Sequence, residues 1–157
     1  MKDYKLINFL DADYELCLET LNWRNNPNVS KHFIIQNIDI ETHKKWLQSM
    51  KEENPKTIAF LIKNDEKYIG VTYFSSINYE EKSAEWGIYI ANTDDRGKGG
   101  GKFALQKSLD YAKELKLKKI YLRVLKNNEK VIKLYEKFGF EKEINLSNNI
   151  IKYKKLL

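Results

Sequence analysis

The hydrophobic positions of the first fifty residues repeat at helical spacing. Tyr14, Leu18 and Leu21 would share one face of a short helix over 13–21. A second predicted helix begins near Asp39, and the apolar residues that follow keep the same spacing. The chain is therefore predicted to open with two helices separated by a loop.

The pattern then changes to strand spacing, with apolar runs separated by polar turns. Strands are predicted over 57–62, 68–77 and 83–90, and their short connections make an antiparallel meander. Beyond a glycine-rich loop, helices and strands alternate. These later elements are a helix that includes 105–115, a strand over 118–124, a helix over 128–138, and closing strands over 140–144 and 150–153.

The order of these elements predicts the fold class. The strands over 83–90 and 118–124 are joined through a helix, and such a crossover is right-handed and leaves its two strands locally parallel. The expected fold is α/β (α+β), with a mixed, mostly antiparallel central sheet, a locally parallel pair and about four flanking helices. No internal repeat or linker composition interrupts the sequence, so a single domain over 1–157 is predicted.

Charge is distributed unevenly along the chain. Residues 1–95 carry 11 Lys/Arg and 16 Asp/Glu, whereas residues 96–157 carry 17 and 6, and the net charge is +6. A basic half favours an anionic partner, which can be a nucleic acid, a membrane surface or a small molecule. The apolar runs are too short to span a bilayer, and the lone Cys17 cannot form an intramolecular disulfide. These features predict a soluble, cytoplasmic protein, and the absence of a metal-ligand pattern predicts no metal.

The most informative segment is the glycine-rich loop between the third predicted strand and the next helix. It reads Arg-Gly-Lys-Gly-Gly-Gly-Lys over 96–102. Glycines let backbone N–H groups approach a ligand, and the start of the following helix adds unpaired donors, which together suit a phosphate or pyrophosphate. The loop does not fit a Walker A motif, because Phe103 stands where a hydroxyl residue is needed. Its formal match to the dinucleotide pattern lacks the acid that binds ribose.

Two motifs point instead to a known family. A match to Arg-x-x-Gly-x-Gly begins at Arg96, and a later predicted helix carries Asn128 and Tyr135 before a Gly-Phe pair. On these motifs and on the order of its elements, the chain over about 1–145 resembles the GCN5-related N-acetyltransferase (GNAT) superfamily. The resemblance implies that acetyl-CoA is the cosubstrate and that its acetyl group passes to an amine by direct attack.

The resemblance also implies which residues bind the cofactor. In the family, the strand before the glycine loop pairs through its backbone with the pantetheine arm, and the loop N–H groups hold the pyrophosphate. Asn128 would contact the cofactor or cap its helix, since Asn is a favoured N-cap residue. The matching positions are Ile88, Tyr89, Ile90, Arg96, Gly97, Lys98, Gly99, Gly100, Gly101, Lys102, Asn128 and Lys130.

Two side chains are candidates for the chemistry. Tyr135 matches the family tyrosine that donates a proton to the departing thiolate, and a phenol with a pKa of about 10 is suited to that transfer. The alternative is that Tyr135 is only a core residue, because it lies on the apolar stripe of its helix. Glu85 lies opposite Trp86 on its strand and is the candidate acceptor of the amine proton, directly or through water. Its alternative is a partly exposed strand carboxylate.

The N-terminal third is expected to wall the acceptor site. Its Trp23, Arg24 and Asn25 resemble the nucleotide-sugar acetyltransferases of pseudaminic acid biosynthesis, which act on the 4-amino group of a UDP-linked 4-amino-4,6-dideoxy-N-acetyl-β-L-altrosamine. In this interpretation Arg24 pairs with the diphosphate, and Trp23 stacks on the uracil or the sugar. The alternatives are that Trp23 anchors the first helix and that Arg24 neutralises an acidic surface.

Two other functions stay open. One is a ribosomal-protein-type protein N-terminal acetyltransferase, whose peptide acceptor needs a longer, open groove. The other is a basic nucleic-acid-binding module, for which Tyr121 and Arg123 are the aromatic residue and cation that fit. The favoured partner is a small-molecule amine, a nucleotide sugar, with no nucleic acid and no membrane. A homodimer is left open.

Overall fold

Seven strands form one mixed sheet in the computed structural model, which describes residues 3–157. The strands are β1 Tyr4–Asn8, β2 Ile58–Asn64, β3 Lys67–Asn78, β4 Ser83–Ile90, β5 Lys119–Leu125, β6 Glu141–Asn145 and β7 Ile150–Leu156. Their order across the sheet is β1-β2-β3-β4-β5-β7-β6. The strands β4 and β5 pair in parallel and every other neighbouring pair is antiparallel, which confirms the predicted sheet.

Five α-helices accompany this sheet within the described residues. They are α1 Tyr14–Asn25, α2 Pro27–Ser30, α3 Ile40–Ser49, α4 Gly100–Glu114 and α5 Glu129–Lys137. The first and third begin at aspartates whose carboxylates accept backbone N–H groups, Asp13 from Glu15 at 2.8 Å and Asp39 from Thr42 at 2.7 Å. Such caps satisfy donors that a helix leaves unpaired at its start, so these helices begin where the sequence predicted.

The helices lie on the two faces of the sheet and enclose two main clusters of buried side chains. Residues of α4 and α5 pack on one face, with Trp86 and Leu105 among them. Residues of α1, α2 and α3 pack on the other face, with Cys17, Leu47 and Tyr89 among them. Trp86 and Tyr89 therefore point to opposite sides of β4, as the alternating pattern predicts.

The parallel pairing of β4 and β5 is short. It joins residues 83–85 of β4 to residues 119–121 of β5, and the rest of β5 pairs only with β7. Beyond Glu85, β4 continues to Ile90 in antiparallel pairing with β3 alone. The two parallel strands therefore separate after Glu85, and a gap opens between them on the side that leads to the glycine loop.

Three details of the N-terminal half differ from the prediction. The strand β1 was missed because it is short and has no continuous apolar run, and α2 was missed because Pro27 suggested a loop, whereas proline is favoured in the first turn of a helix. The predicted face of α1 is right for Leu18 and Leu21, which pack toward the sheet, but wrong for Tyr14, which is exposed, and Cys17 and Thr20 complete the buried side.

Within residues 3–157, every helix is too short or too polar to cross a lipid bilayer.

Candidate active site

The glycine loop adopts a backbone that only glycine accommodates without strain. Gly97 has φ of +72° and Gly99 has φ of +97°, and a Cβ at either position would meet nothing within 4 Å. Their conformation is therefore set by the turn and not by crowding, and the space above them is open. Gly100 differs, because a Cβ there would lie 3.1 Å from the Cδ1 of Ile69. It lets the start of α4 rest on the sheet.

The N-terminus of α4 is open to a ligand. Gly99 occupies its N-cap position, and no side chain caps the helix. The helix therefore starts with backbone N–H donors that have no side-chain acceptor, next to exposed Lys102. Since β4 and β5 run parallel, α5 starts at the same edge of the sheet, and exposed Lys130 lies in its first turn. This edge suits a pyrophosphate.

Two side chains fix the loop to neighbouring elements, one from Arg96 at its start and one from Tyr4 on β1. One nitrogen of Arg96, Nη2, donates to the backbone oxygen of Asn28 at 3.1 Å, to Oδ1 of Asn28 at 2.7 Å and to the backbone oxygen of Ile90 at 3.1 Å. The Tyr4 hydroxyl donates to the backbone oxygen of Lys98 at 2.9 Å. Burial lowers the pKa of Arg96. The arginine of the predicted motif thus ties the loop to α2 and to the end of β4, and phosphate binding by Arg96 stays a prediction.

The gap between β4 and β5 exposes the edge of β4 at positions 88–90. Among the described residues no strand pairs with this edge, where the family resemblance predicts the pantetheine arm. The Tyr89 side chain points away from the gap, and its hydroxyl donates to the backbone oxygen of Thr20 at 3.2 Å. Any contact of Tyr89 with a cofactor would therefore involve its backbone.

Tyr135 lies in the buried cluster on the α4 and α5 side of the gap. Its ring meets Trp86 edge-to-face at 5.9 Å between centroids and also packs on Phe140. Burial raises the pKa of Tyr135, and the nearby Tyr73 raises it further. The hydroxyl therefore keeps its proton, as a proton donor requires. Tyr135 is therefore a core residue, and its role as the proton donor stays a prediction.

Glu85 and Arg123 form an ion pair at the point where β4 and β5 separate. Nε of Arg123 donates to Oε2 of Glu85 at 2.7 Å, and Nη2 donates to Oε1 at 3.2 Å. The hydrogen bond from Arg123 to Glu85 raises the pKa of Arg123. Both carboxylate oxygens of Glu85 thus have a cationic partner, so its role as a base stays a prediction and would require Arg123 to move.

Tyr73 lies against Gly87 on β4, and its pKa is affected by charged groups around it. The sequence analysis did not identify this residue. Burial raises the pKa of Tyr73 to about 12, while Arg24 and Arg123 lower it and Glu85 raises it. All three charged groups therefore act on one hydroxyl. The available signal was Gly87, which pairs with Tyr73 across the strands, since a glycine inside a strand often marks the close approach of another group.

The predicted acceptor residues organise the loop between α2 and α3. Arg24 stacks on Phe33, with its Cζ 3.8 Å from the ring centroid, and its Nη2 donates to the backbone oxygen of Ile35 at 2.7 Å. The Asn25 amide donates to the backbone oxygen of Ile38 at 2.7 Å and accepts from the Ile38 N–H at 2.9 Å. These contacts hold the loop over the sheet.

Trp23 and Arg24 are both partly buried, and their roles in substrate binding stay predictions. Trp23 is half-buried against the cluster under α1 and α3, which fits its alternative as a helix anchor. Nη1 of Arg24 is buried and has no hydrogen-bond partner. Burial lowers the pKa of Arg24, whereas Tyr73 and Tyr89 raise it. A buried guanidinium donor without an acceptor is costly. Binding of a substrate by Arg24 stays a prediction, because this atom is closed off from solvent.

Asn128 stands at the N-cap position of α5, but its side chain makes no capping hydrogen bond. The cap alternative therefore has no support in the geometry, and contact with the cofactor stays the prediction for Asn128. Across residues 3–157 no three His, Cys, Asp or Glu side chains come together in a way that could hold a metal ion.

The fold and the site together define a class of protein. A mixed sheet whose single parallel pair separates beside an open glycine loop is the arrangement that the resemblance to the N-acetyltransferase superfamily implies. The model of one protein family, the acetyltransferase (GNAT) domain, matches residues 6–141. The chain belongs to this family and is an acetyltransferase.

Three comparisons narrow the relationship. The acetyltransferase PseH of Campylobacter jejuni is 34% identical over 137 residues, which are 87% of this chain and 83% of PseH. The spermidine N(1)-acetyltransferase of Vibrio cholerae is 32% identical over 127 residues, which are 80% of this chain and 73% of that enzyme. The crystal structure of C. jejuni PseH in complex with acetyl coenzyme A superimposes with a TM-score of 0.73 at 26% identity, covering 98% of this chain and 99% of the other.

Proposed function

We propose that the protein transfers the acetyl group of acetyl-CoA to the 4-amino group of a UDP-linked 4-amino-4,6-dideoxy sugar. The observation that carries the proposal is that two guanidinium groups lie on one face of the sheet: Arg123, which is 47% exposed where β4 and β5 separate, and Arg24, which stacks on Phe33 of the cluster under α1 and α3. Cations at this point favour an acceptor that carries negative charge, such as a nucleotide diphosphate.

The residues of this chain fit the cofactor. The open loop around Gly97 and Gly99, with the uncapped start of α4, would hold the pyrophosphate, and the exposed edge of β4 would pair with the pantetheine arm. Acetyl-CoA supplies a thioester, and as the new carbon–nitrogen bond forms, the carbon–sulfur bond breaks. The nitrogen loses one proton in this step, and Glu85 would accept it directly or through water. Tyr135 holds the proton that the sulfur needs, because burial keeps its hydroxyl protonated.

The anionic end of the acceptor would meet the side of the site formed by α1 and the loop behind it. Nη1 of Arg24 lies buried there without a partner, so an acceptor oxygen at that atom would satisfy it. Similarity to the C. jejuni acetyltransferase PseH over 87% of this chain supports the proposal together with the resemblance of residues 23–25 to nucleotide-sugar acetyltransferases. The alternative of a protein N-terminal acetyltransferase has no comparable support.

A second candidate acceptor is spermidine, because the V. cholerae enzyme that is 32% identical is a spermidine N(1)-acetyltransferase. A polycationic amine needs carboxylates to hold its charges. Glu85 is the carboxylate at the gap, but Arg123 already pairs with both of its oxygens. The charges at the gap therefore favour the anionic acceptor.

A panel of acceptors tests the proposal. Purified protein and acetyl-CoA are incubated with the UDP-linked 4-amino sugar, with spermidine and with a peptide bearing a free N-terminus, and thiol release is followed. The expected result is the highest kcat/KM with the UDP sugar, with NMR locating the new acetyl group on the 4-nitrogen. A higher kcat/KM with spermidine or with the peptide would reject the nucleotide-sugar assignment.

A further inference from the structure

Arg123 and Glu85 connect β5 to β4 where their parallel pairing ends. Glu85 pairs in register with Tyr121, so Arg123 is two positions further along β5, on the same side of the sheet. Two hydrogen bonds of 2.7 Å and 3.2 Å form the two-pronged contact that a guanidinium makes with a carboxylate. The pair therefore spans the beginning of the gap.

The pair faces the side from which an acceptor approaches. Leu122 and Val124, the neighbours of Arg123 on its strand, are buried toward α4 and α5, so Arg123 points to the opposite face of the sheet. That face is where α1 and α3 pack beside the gap. The Arg123 side chain is 47% exposed and that of Glu85 only 15% exposed. An arriving acceptor would therefore meet the guanidinium before the carboxylate.

We propose that Arg123 determines the charge of the acceptor, because it occupies the Glu85 carboxylate and presents a cation in its place. This inference deepens the proposed function and rests on it for the preferred substrate. A polycationic amine is disfavoured twice, since it meets like charge at Arg123 and finds Glu85 already paired. An anionic acceptor does not need a carboxylate, so the pairing of Glu85 does not weaken its binding. Arg123 attracts its negative charge.

The chemical character of the surroundings agrees with this role. Burial raises the pKa values of Tyr73 and Tyr121, Glu85 raises them as well, and Arg123 lowers them. The ammonium of Lys152 lies over the Tyr121 ring, 4.6 Å from its centroid. Lys152 pairs in register with Arg123, and its ammonium also lies 3.6 Å from Oε2 of Glu143. The tyrosine hydroxyls and the exposed Arg123 beside this ion pair suit phosphate and sugar oxygens better than ammonium groups.

Three single variants test the inference. Arg123→Gln removes the charge and releases Glu85, whereas Arg123→Lys keeps the charge and loses the two-pronged contact. Lys113→Gln is the matched control, because it removes one cation from the exposed surface of α4 on the opposite face. The measurements are kcat and KM for spermidine and for the UDP-linked 4-amino sugar, with circular dichroism to verify folding.

For Arg123→Gln, kcat/KM with spermidine is expected to rise about tenfold, mainly through a lower KM, because a like charge is removed and a carboxylate is gained. Its KM for the UDP sugar is expected to rise several-fold. Arg123→Lys should retain the wild-type preference, and Lys113→Gln should leave both substrates unchanged. The double variant Arg123→Gln with Glu85→Gln should lose the gain with spermidine, because that gain depends on the released carboxylate.

The inference is overturned if Arg123→Gln leaves kcat/KM for spermidine unchanged, or if the gain persists in the double variant. Failure of the proposed function is a separate outcome: the wild-type protein would not acetylate the UDP sugar, while the spermidine comparison would still decide the role of Arg123. Where turnover of spermidine is too slow in every variant, calorimetric binding of spermine to the protein with CoA replaces it. Equal spermine affinity in wild type and Arg123→Gln then rejects the inference.

Discussion

The ring of Tyr73 on β3 lies over Gly87 of β4 and fills the space that a side chain at Gly87 would need. Because of this approach, the Tyr73 hydroxyl lies over Gly87, two positions along β4 from Glu85, and both Glu85 and Arg123 affect its pKa. The absence of a side chain at one strand position thus places a hydroxyl at the start of the gap.

The first prediction concerns Gly87. In Gly87→Ala the new methyl group overlaps the Tyr73 ring, so the ring must move, at a cost of about 1–3 kcal/mol in the free energy of unfolding. Turnover should fall with it, because the displaced ring changes the surroundings of Glu85 and Arg123 at the start of the gap. Urea unfolding and steady-state kinetics measure the two effects. Adding Tyr73→Val should restore stability without restoring turnover, and full activity in the single variant would contradict this role of Tyr73.

The second prediction concerns Tyr135 as the proton donor. Tyr135→Phe should lower kcat by about 10²-fold, the usual scale for losing a positioned acid, with little change in affinity for acetyl-CoA. Tyr153→Phe is the matched control, since Tyr153 is also buried and its hydroxyl donates to Glu136 at 3.4 Å. Steady-state kinetics and calorimetry measure turnover and binding. Equal turnover in both variants would remove Tyr135 from the chemistry.

The pH dependence of turnover provides a third prediction. A proton donor is active below its pKa, and burial raises the pKa of Tyr135 above its ordinary value of about 10. Titration of Tyr135 should therefore cause no loss of kcat as pH rises to about 10. A profile of kcat against pH under saturating substrates measures this. A fall of kcat below about pH 10 that occurs in wild type, but not in the residual activity of Tyr135→Phe, would contradict the prediction. It would show that the pKa of Tyr135 is not raised.

The fourth prediction tests whether acetyl-CoA binding depends on the glycine loop itself or only on the stability lost through backbone strain. Gly99 and Gly139 both have positive φ, +97° and +91°, so alanine at either position should cost about 1–2 kcal/mol in the free energy of unfolding. Only Gly99→Ala should weaken binding of acetyl-CoA, by about tenfold or more, because Gly99 shapes the N-cap of α4. Thermal unfolding and calorimetry test the pair. Similar loss of binding in Gly139→Ala would mean that stability, not the loop, controls affinity.

Local sequence patterns were sufficient to predict much of the fold. The period of the apolar residues identified the meander, the crossover through α4 and the parallel pair, and the glycines identified the open loop. Two short elements were missed, because the five residues of β1 and the four of α2 have no periodicity to detect. Tertiary contacts override or replace local patterns in elements of this length.

The centre of the site could not be predicted for a different reason. Glu85 and Arg123 are 38 positions apart in the sequence, and whether they meet depends on the register of β4 against β5 and on where that pairing ends. Likewise, the sequence contains Tyr73 and Gly87 but does not show that they are opposite each other. Side chains brought together by strand register leave no short-range signal in a single sequence.

The last prediction concerns the loop between α2 and α3. Asn25→Ala removes the two hydrogen bonds of 2.7 Å and 2.9 Å to Ile38, which should cost about 1–3 kcal/mol of local stability and loosen residues 31–38. Hydrogen exchange should become faster in that segment, and KM for the acceptor should rise several-fold while affinity for acetyl-CoA stays the same. Asn22→Ala is the matched control, because the exposed Asn22 amide bonds only to Glu19. Unchanged exchange in Asn25→Ala would show that other contacts, such as Arg24 with Ile35, are sufficient to hold the loop.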